Sequence, residues 1–146
     1  MTGLRVGYLA APAAISAAGA KLQEPLIACV NAPAQAAALA ALRGPQDAVR
    51  AMRDTYRQRR DAAITVLEEL GIRHLVPHGA FYLWIHLAER SGPDVAAWAL
   101  ELLCTERVAI APGTAFGPVA EGWARLSLAA DTDDLIEGIR RIGGRQ

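Results

Sequence analysis

Residues 123–129 alternate strictly, and that alternation limits the fold more than any other feature of the chain. At a period of two, Trp123, Arg125, Ser127 and Ala129 fall on one face, and Ala124, Leu126 and Leu128 on the other. The second face is core. The first turns a guanidinium, a hydroxyl and an indole toward a cleft, and a planar fork beside an aromatic ring suits a carboxylate held through two parallel hydrogen bonds. On the residues alone, a salt bridge from Arg125 to a nearby Asp or Glu explains it equally well.

A second arginine stands out near the other end. Residues 4–11 are densely apolar and β-prone, so they are expected to form a short strand, covered on both faces, that stops at Pro12. Arg5 lies inside this run. A guanidinium is costly to desolvate unless an anion meets it, which points to Arg5 as an anion site rather than a solvated charge.

Fifteen basic residues balance fifteen acidic ones, so the electrostatic footprint of a nucleic-acid binder is absent. All the basic residues but Lys21 are arginines, which by itself reflects no recognition of phosphate. Cys29 and Cys104 have neither CxxC nor Cys/His ligand spacing, which suits buried free thiols in a reducing compartment and argues against a disulfide framework or a zinc site. His74 and His86 lack ligand-spaced partners, and His78 reads as an exposed turn residue, so no metal is expected. No apolar run approaches the ~18 residues of a membrane helix, and a soluble cytoplasmic protein is expected. Alanine is the largest contributor to the 53% hydrophobic content, with only 5% aromatic residues, so many core contacts are to be made by small side chains at close backbone spacing.

From residue 13 to about 42 the alanine-rich stretch favours helix, interrupted near Pro25 and Pro33. Asn31 is a helix start, residues 35–42 the helix, and Gly44–Pro45 the stop. Residues 46–70 form a long helix with apolar positions at Val49, Met52, Tyr56, Ala63, Val66, Leu67 and Leu70, both ends packed, and Gly71 as its cap. Arg57, Arg59 and Arg60 are expected on its solvated face. Strands are expected at 72–76, 79–87, 108–111 and 124–129. Helices are expected at 93–106, with Val95, Trp98 and Leu102 on one face, and at 133–142, capped by Asp131 or Thr132. Short hops between these elements predict an α+β arrangement with helices on one face of a small sheet.

Three separated segments then resemble one family. MTGLRVGY at 1–8, PHGAFYLW at 77–84 and APGTAFGPVAEGWARLS at 111–127 are similar, in order, to the MTGxRxGY, PxGAFY and PGxxFG…RxS motifs of class I and II aminotransferases that use pyridoxal phosphate (PLP). The resemblance implies an α/β, PLP-transferase-like fold of which this chain is the C-terminal portion. Residues 1–45 would be a remnant of the large domain, 46–70 an interdomain helix and 71–146 the small domain. It implies that Arg5 contacts the cofactor phosphate and Arg125 the amino-acid carboxylate. The Schiff-base lysine of such enzymes would precede Met1, so no catalytic residue is expected in this chain, and Lys21 is not a replacement. The whole enzyme would move an amino group between an amino acid and a 2-oxo acid as a homodimer. A PLP-dependent lyase of the same fold, or a non-catalytic anion-binding module, are the alternatives.

Overall fold

Alanine-rich segments dominate the start of the chain and make helices there. The structure, a computed structural model, describes residues 2–144 and divides the chain into two units, Met1–Ala48 and Val49–Gln146. In the first unit, helix α1 spans Ala13–Ile27 and helix α2 spans Ala32–Arg43. The Asn31 side chain caps α2 by accepting from the Ala34 N–H at 2.9 Å, and Pro33 takes an early position where no donor is needed. Pro25 does not end α1 as expected. It lies in the last turn, where only one carbonyl loses its donor, and the Ala28 N–H still reaches the Glu24 carbonyl at 3.0 Å.

The expected strand at 4–11 is not there. Residues Thr2–Leu4 form a 3-10 turn closed by the Arg5 N–H on the Thr2 carbonyl, Arg5 has φ +52°, and the following residues run without ladder partners. Apolar character alone does not make a strand, because the ladder needs a neighbour. Ala34 is the single buried side chain among the described residues of this unit, while Tyr8, Leu9, Leu22, Leu26, Ile27 and Leu42 are exposed.

The second unit holds the core. Nearly all of the long helix α3 (Asp47–Glu69) belongs to it. Four strands follow in an antiparallel sheet of order β1-β2-β4-β3, with β1 at His74–Leu75, β2 at Tyr82–His86, β3 at Ala111–Pro112 and β4 at Trp123–Ser127. The short helix α4 (Ala88–Ser91) and helix α5 (Val95–Glu106) lie between β2 and β3, and α6 (Thr132–Gly144) closes the unit. Ala63, Val66 and Leu67 of α3, Val95, Trp98 and Leu102 of α5, and Leu135, Ile139 and Ile142 of α6 bury against Leu83, Ile85, Ala124, Leu126 and Leu128. This is the expected α+β arrangement, with helices on one face of the sheet.

Several local expectations change. The strand at 108–111 shrinks to Ala111–Pro112, and that at 72–76 to two residues, since pairing to β2 and β4 extends no further. Val49 and Met52 are exposed, so only the C-terminal half of α3 packs. Cys29 and Cys104 are exposed rather than buried: Cys29 follows α1 in a unit that buries almost nothing, and Cys104 lies off the α5 stripe of Val95, Trp98, Ala99 and Leu102.

Arginines tie the helix ends together. Arg90 donates to the Leu70 and Gly143 carbonyls, both at 2.9 Å, and so caps the C-termini of α3 and α6 at once. Arg141 donates to the carbonyl of Glu106, the last residue of α5, at 2.8 Å. Arg59 does not lie on a solvated face. It reaches the Leu128 and Ala129 carbonyls and the Asp131 carboxylate, holding the turn between β4 and α6. Asp131 starts α6 by accepting the Leu135 N–H on its backbone carbonyl, while its carboxylate serves Arg59. Replacing Arg90 with Ala frees two helix-terminal carbonyls at once and is expected to lower stability by about 1–3 kcal/mol. Urea unfolding of the 146-residue chain checks this as a lower midpoint at unchanged slope.

Candidate anion-binding site

The sheet face away from the helices carries the candidate site. Alternation along β2 and β4 turns Tyr82, Trp84, His86, Trp123, Arg125 and Ser127 to this open side, in the cross-strand pairs Tyr82↔Ser127, Trp84↔Arg125 and His86↔Trp123. The expected faces of 123–129 are therefore the observed ones, with Ala124, Leu126 and Leu128 buried.

Arg125 sits between two rings. Its guanidinium carbon lies 4.0 Å from the Tyr82 ring centroid and 4.2 Å from that of Phe116. Such contacts stabilise a cation by about 0.5–2 kcal/mol each. They also cover its π faces and leave the N–H edge as the direction open to a partner. No carboxylate among the described residues pairs with Arg125. The intramolecular salt bridge that the sequence left open is thus not formed, and the half-buried cation keeps its donors for an external oxyanion.

Phe116 is placed by an unusual approach of the backbone. It ends the 3-10 turn Gly113–Phe116 that follows β3, and its ring meets Trp84 edge-on, with centroids 5.4 Å apart. Gly113 is buried, and a Cβ there would run into the carbonyl oxygens of Ala120 and Trp123. Only glycine lets the loop fold back over β4 closely enough to bring Phe116 onto Arg125. Sequence reading quoted Tyr82 and Phe116 as motif residues but gave them no role. The signal for Tyr82 was available in its parity on the aromatic strand; that for Phe116 depended on the loop path.

Arg5 differs from expectation in its setting. It belongs to the first unit and is exposed, so the chain's own residues do not desolvate it. No acidic group among the described residues pairs with it, and its guanidinium is available to an anion. Lys21 is exposed on α1, and His78 is exposed in the bend before β2. His74 turns its Nδ1 to the Ile72 carbonyl at 3.0 Å. Among the described residues no group of three or more His, Cys, Asp or Glu side chains forms a metal site, and no helix is long and apolar enough to cross a membrane.

Comparison with known proteins agrees with these motifs. The family described as aminotransferase class I and II matches residues 1–142. An LL-diaminopimelate aminotransferase of Desulforudis audaxviator is 38% identical over 144 residues, covering 99% of this chain and 36% of its own length. A probable aspartate/prephenate aminotransferase of Aquifex aeolicus is 40% identical, covering 97% of the chain and 37% of its own length. Among solved structures, an aromatic aminotransferase from Pyrococcus horikoshii superposes with a TM-score of 0.85 at 34% identity, over 99% of this chain and 39% of that one. The aspartate aminotransferase of Thermotoga maritima gives 0.82 at 35%, over 99% and 36%. The chain therefore spans little more than a third of the length of these relatives.

The approach at Gly113 provides a test of the site's construction. Gly113→Ala is expected to push the 113–116 turn off β4, at a cost of about 1–3 kcal/mol. The helical circular dichroism should be retained, and the tryptophan near-ultraviolet signal should change as Phe116 leaves Trp84. Motif order, fold and match over residues 1–142 together establish that this chain belongs to the class I and II aminotransferase family.

Proposed function

We propose that this chain supplies the substrate-carboxylate grip of a PLP-dependent aminotransferase, which moves an amino group between an amino acid and a 2-oxo acid. One observation carries the reading. Arg125 is a half-buried cation with both faces covered by Tyr82 and Phe116 and no acid among the described residues to neutralise it. An in-plane carboxylate is the ligand that matches such a fork.

Tyr82 and Phe116 restrict the guanidinium to one plane, so a carboxylate bound there is fixed in direction as well as in place. Orientation of this kind accelerates a reaction by holding the bond to be broken where the catalytic groups can reach it. Arg5, unpaired among the described residues and preceded by the Thr2 turn, has the chemistry to donate to a phosphate, and is proposed to hold that of the cofactor. Bound PLP supplies the electron sink that makes amino-group transfer feasible, and the protein contributes position and charge. The lysine such chemistry employs is not assigned to Lys21, which lies exposed on α1. The family resemblance also supports a homodimer acting in the cytoplasm, and the exposed apolar side chains of residues 2–48 are the kind of surface an assembly covers.

The reading is tested in a full-length enzyme that contains this chain. Arg125→Ala should lower kcat/KM for the amino acid at least ~30-fold through a higher KM, as expected for losing a desolvated charge pair of about 2–5 kcal/mol. PLP should stay bound, and Arg125→Lys should recover only part of the loss, since an ammonium lacks the planar fork. Arg5→Ala should instead weaken retention of PLP on dialysis while the amino-acid KM of the reloaded enzyme changes little. Formation of an aminated acceptor distinguishes transfer from elimination, which releases ammonia.

A further inference from the structure

The open sheet face holds a second arginine on an aromatic ring, apart from Arg125. Arg73, just before β1, lies over Trp123 with its guanidinium carbon 5.1 Å from the ring centroid. The His86 ring meets the same indole edge-on at 5.1 Å, and the His86 backbone N–H donates to the Arg73 carbonyl at 2.7 Å. Arg73, His86 and Trp123 thus form one row across β1, β2 and β4. Beside it opens a cleft of about 380 Å³ lined by Gly71, Ile72, Arg73, His86, Glu89 and Arg90. That volume falls within the range of small-ligand sites, roughly 300–1,000 Å³.

The charges in this cleft are not matched internally. Arg90 has both terminal nitrogens committed to the Leu70 and Gly143 carbonyls. Arg73 and Glu89 form no ion pair with each other or with any described residue. A plain anion would satisfy Arg73 but face the Glu89 carboxylate; a plain cation would have the opposite difficulty. A ligand carrying both signs on neighbouring groups satisfies both.

We infer that this cleft binds a free α-amino acid as its zwitterion, with the carboxylate on Arg73 and the ammonium on Glu89. The site is separate from the Arg125 grip and does not depend on the role given to Arg125. The cleft is assigned binding alone, with no chemical step.

The test compares three small ligands on the 146-residue chain carrying Arg125→Ala, which removes carboxylate binding at that grip, by following the Trp123 indole N–H and the His86 ring signals in NMR titrations. The probes are L-alanine, propionate, which lacks its amine, and ethylamine, which lacks its carboxylate. L-alanine is expected to give a saturable shift, with propionate and ethylamine each at least ~10-fold weaker, as follows from losing one charge-assisted contact. Arg73→Ala and Glu89→Gln, each added to that background, should weaken L-alanine binding by a similar factor. Both altered residues are exposed, and unchanged circular dichroism of each variant verifies its fold. Equal binding of L-alanine and propionate overturns the inference in favour of a plain anion site. It is equally overturned by an absent response or by binding insensitive to Arg73→Ala or Glu89→Gln.

Discussion

A guanidinium held between two aromatic rings, with no acid to neutralise it, is the interaction on which the architecture of the open sheet face turns. Arg125 would be costly to leave half-buried and unpaired in an apolar setting, and the quadrupoles of Tyr82 and Phe116 offset part of that cost without using its N–H groups. The protein thereby keeps a cation ready for an external oxyanion. A carboxylate from the chain in the same place would stabilise the fold and abolish the site. The close approach at Gly113, the edge-on contact of Phe116 with Trp84 and the register of β2 against β4 all serve this one arrangement.

The rest of the second unit explains how a chain so poor in large side chains remains rigid enough to carry it. Its core is built from Leu, Ile, Val and Ala around a single buried tryptophan, Trp98, so packing alone does not define where the helix ends lie. Arginines fix them. Arg90 joins the ends of α3 and α6, Arg141 reaches the end of α5, and Arg59 pins the turn immediately after β4. A surplus of arginine over lysine, which signified nothing in the composition, becomes a set of multidentate caps that a lysine's single ammonium could not reproduce.

How much of this was legible in the sequence depended on whether the deciding partner was local. The two faces of β4, the Asn31 cap, the apolar stripe of α5 and the helices on one side of the sheet follow from periodicity and short-range hydrogen bonding, and all could be read directly. The strand proposed for residues 4–11 failed because pairing is a property of two segments, and apolar composition describes only one. The solvated face assigned to Arg57, Arg59 and Arg60 failed at Arg59 for the same reason: Arg59 finds its acceptors about seventy residues later, at a distance no local pattern encodes. In the site, Arg125 was found from its strand parity and from motif resemblance. The enclosing rings were not, since Phe116 arrives by a loop whose path only the backbone contact at Gly113 reveals.

The central claim is that Arg125 presents a free, in-plane fork to carboxylates, and it can be measured at that group itself. Titrating acetate into the chain while observing the Arg125 side-chain Nε–H resonance reads the contact without reference to turnover. A saturable shift of that resonance, accompanied by slower exchange with water, is the predicted result. An Arg125 signal that stays unmoved while acetate reaches saturating concentrations would contradict the account.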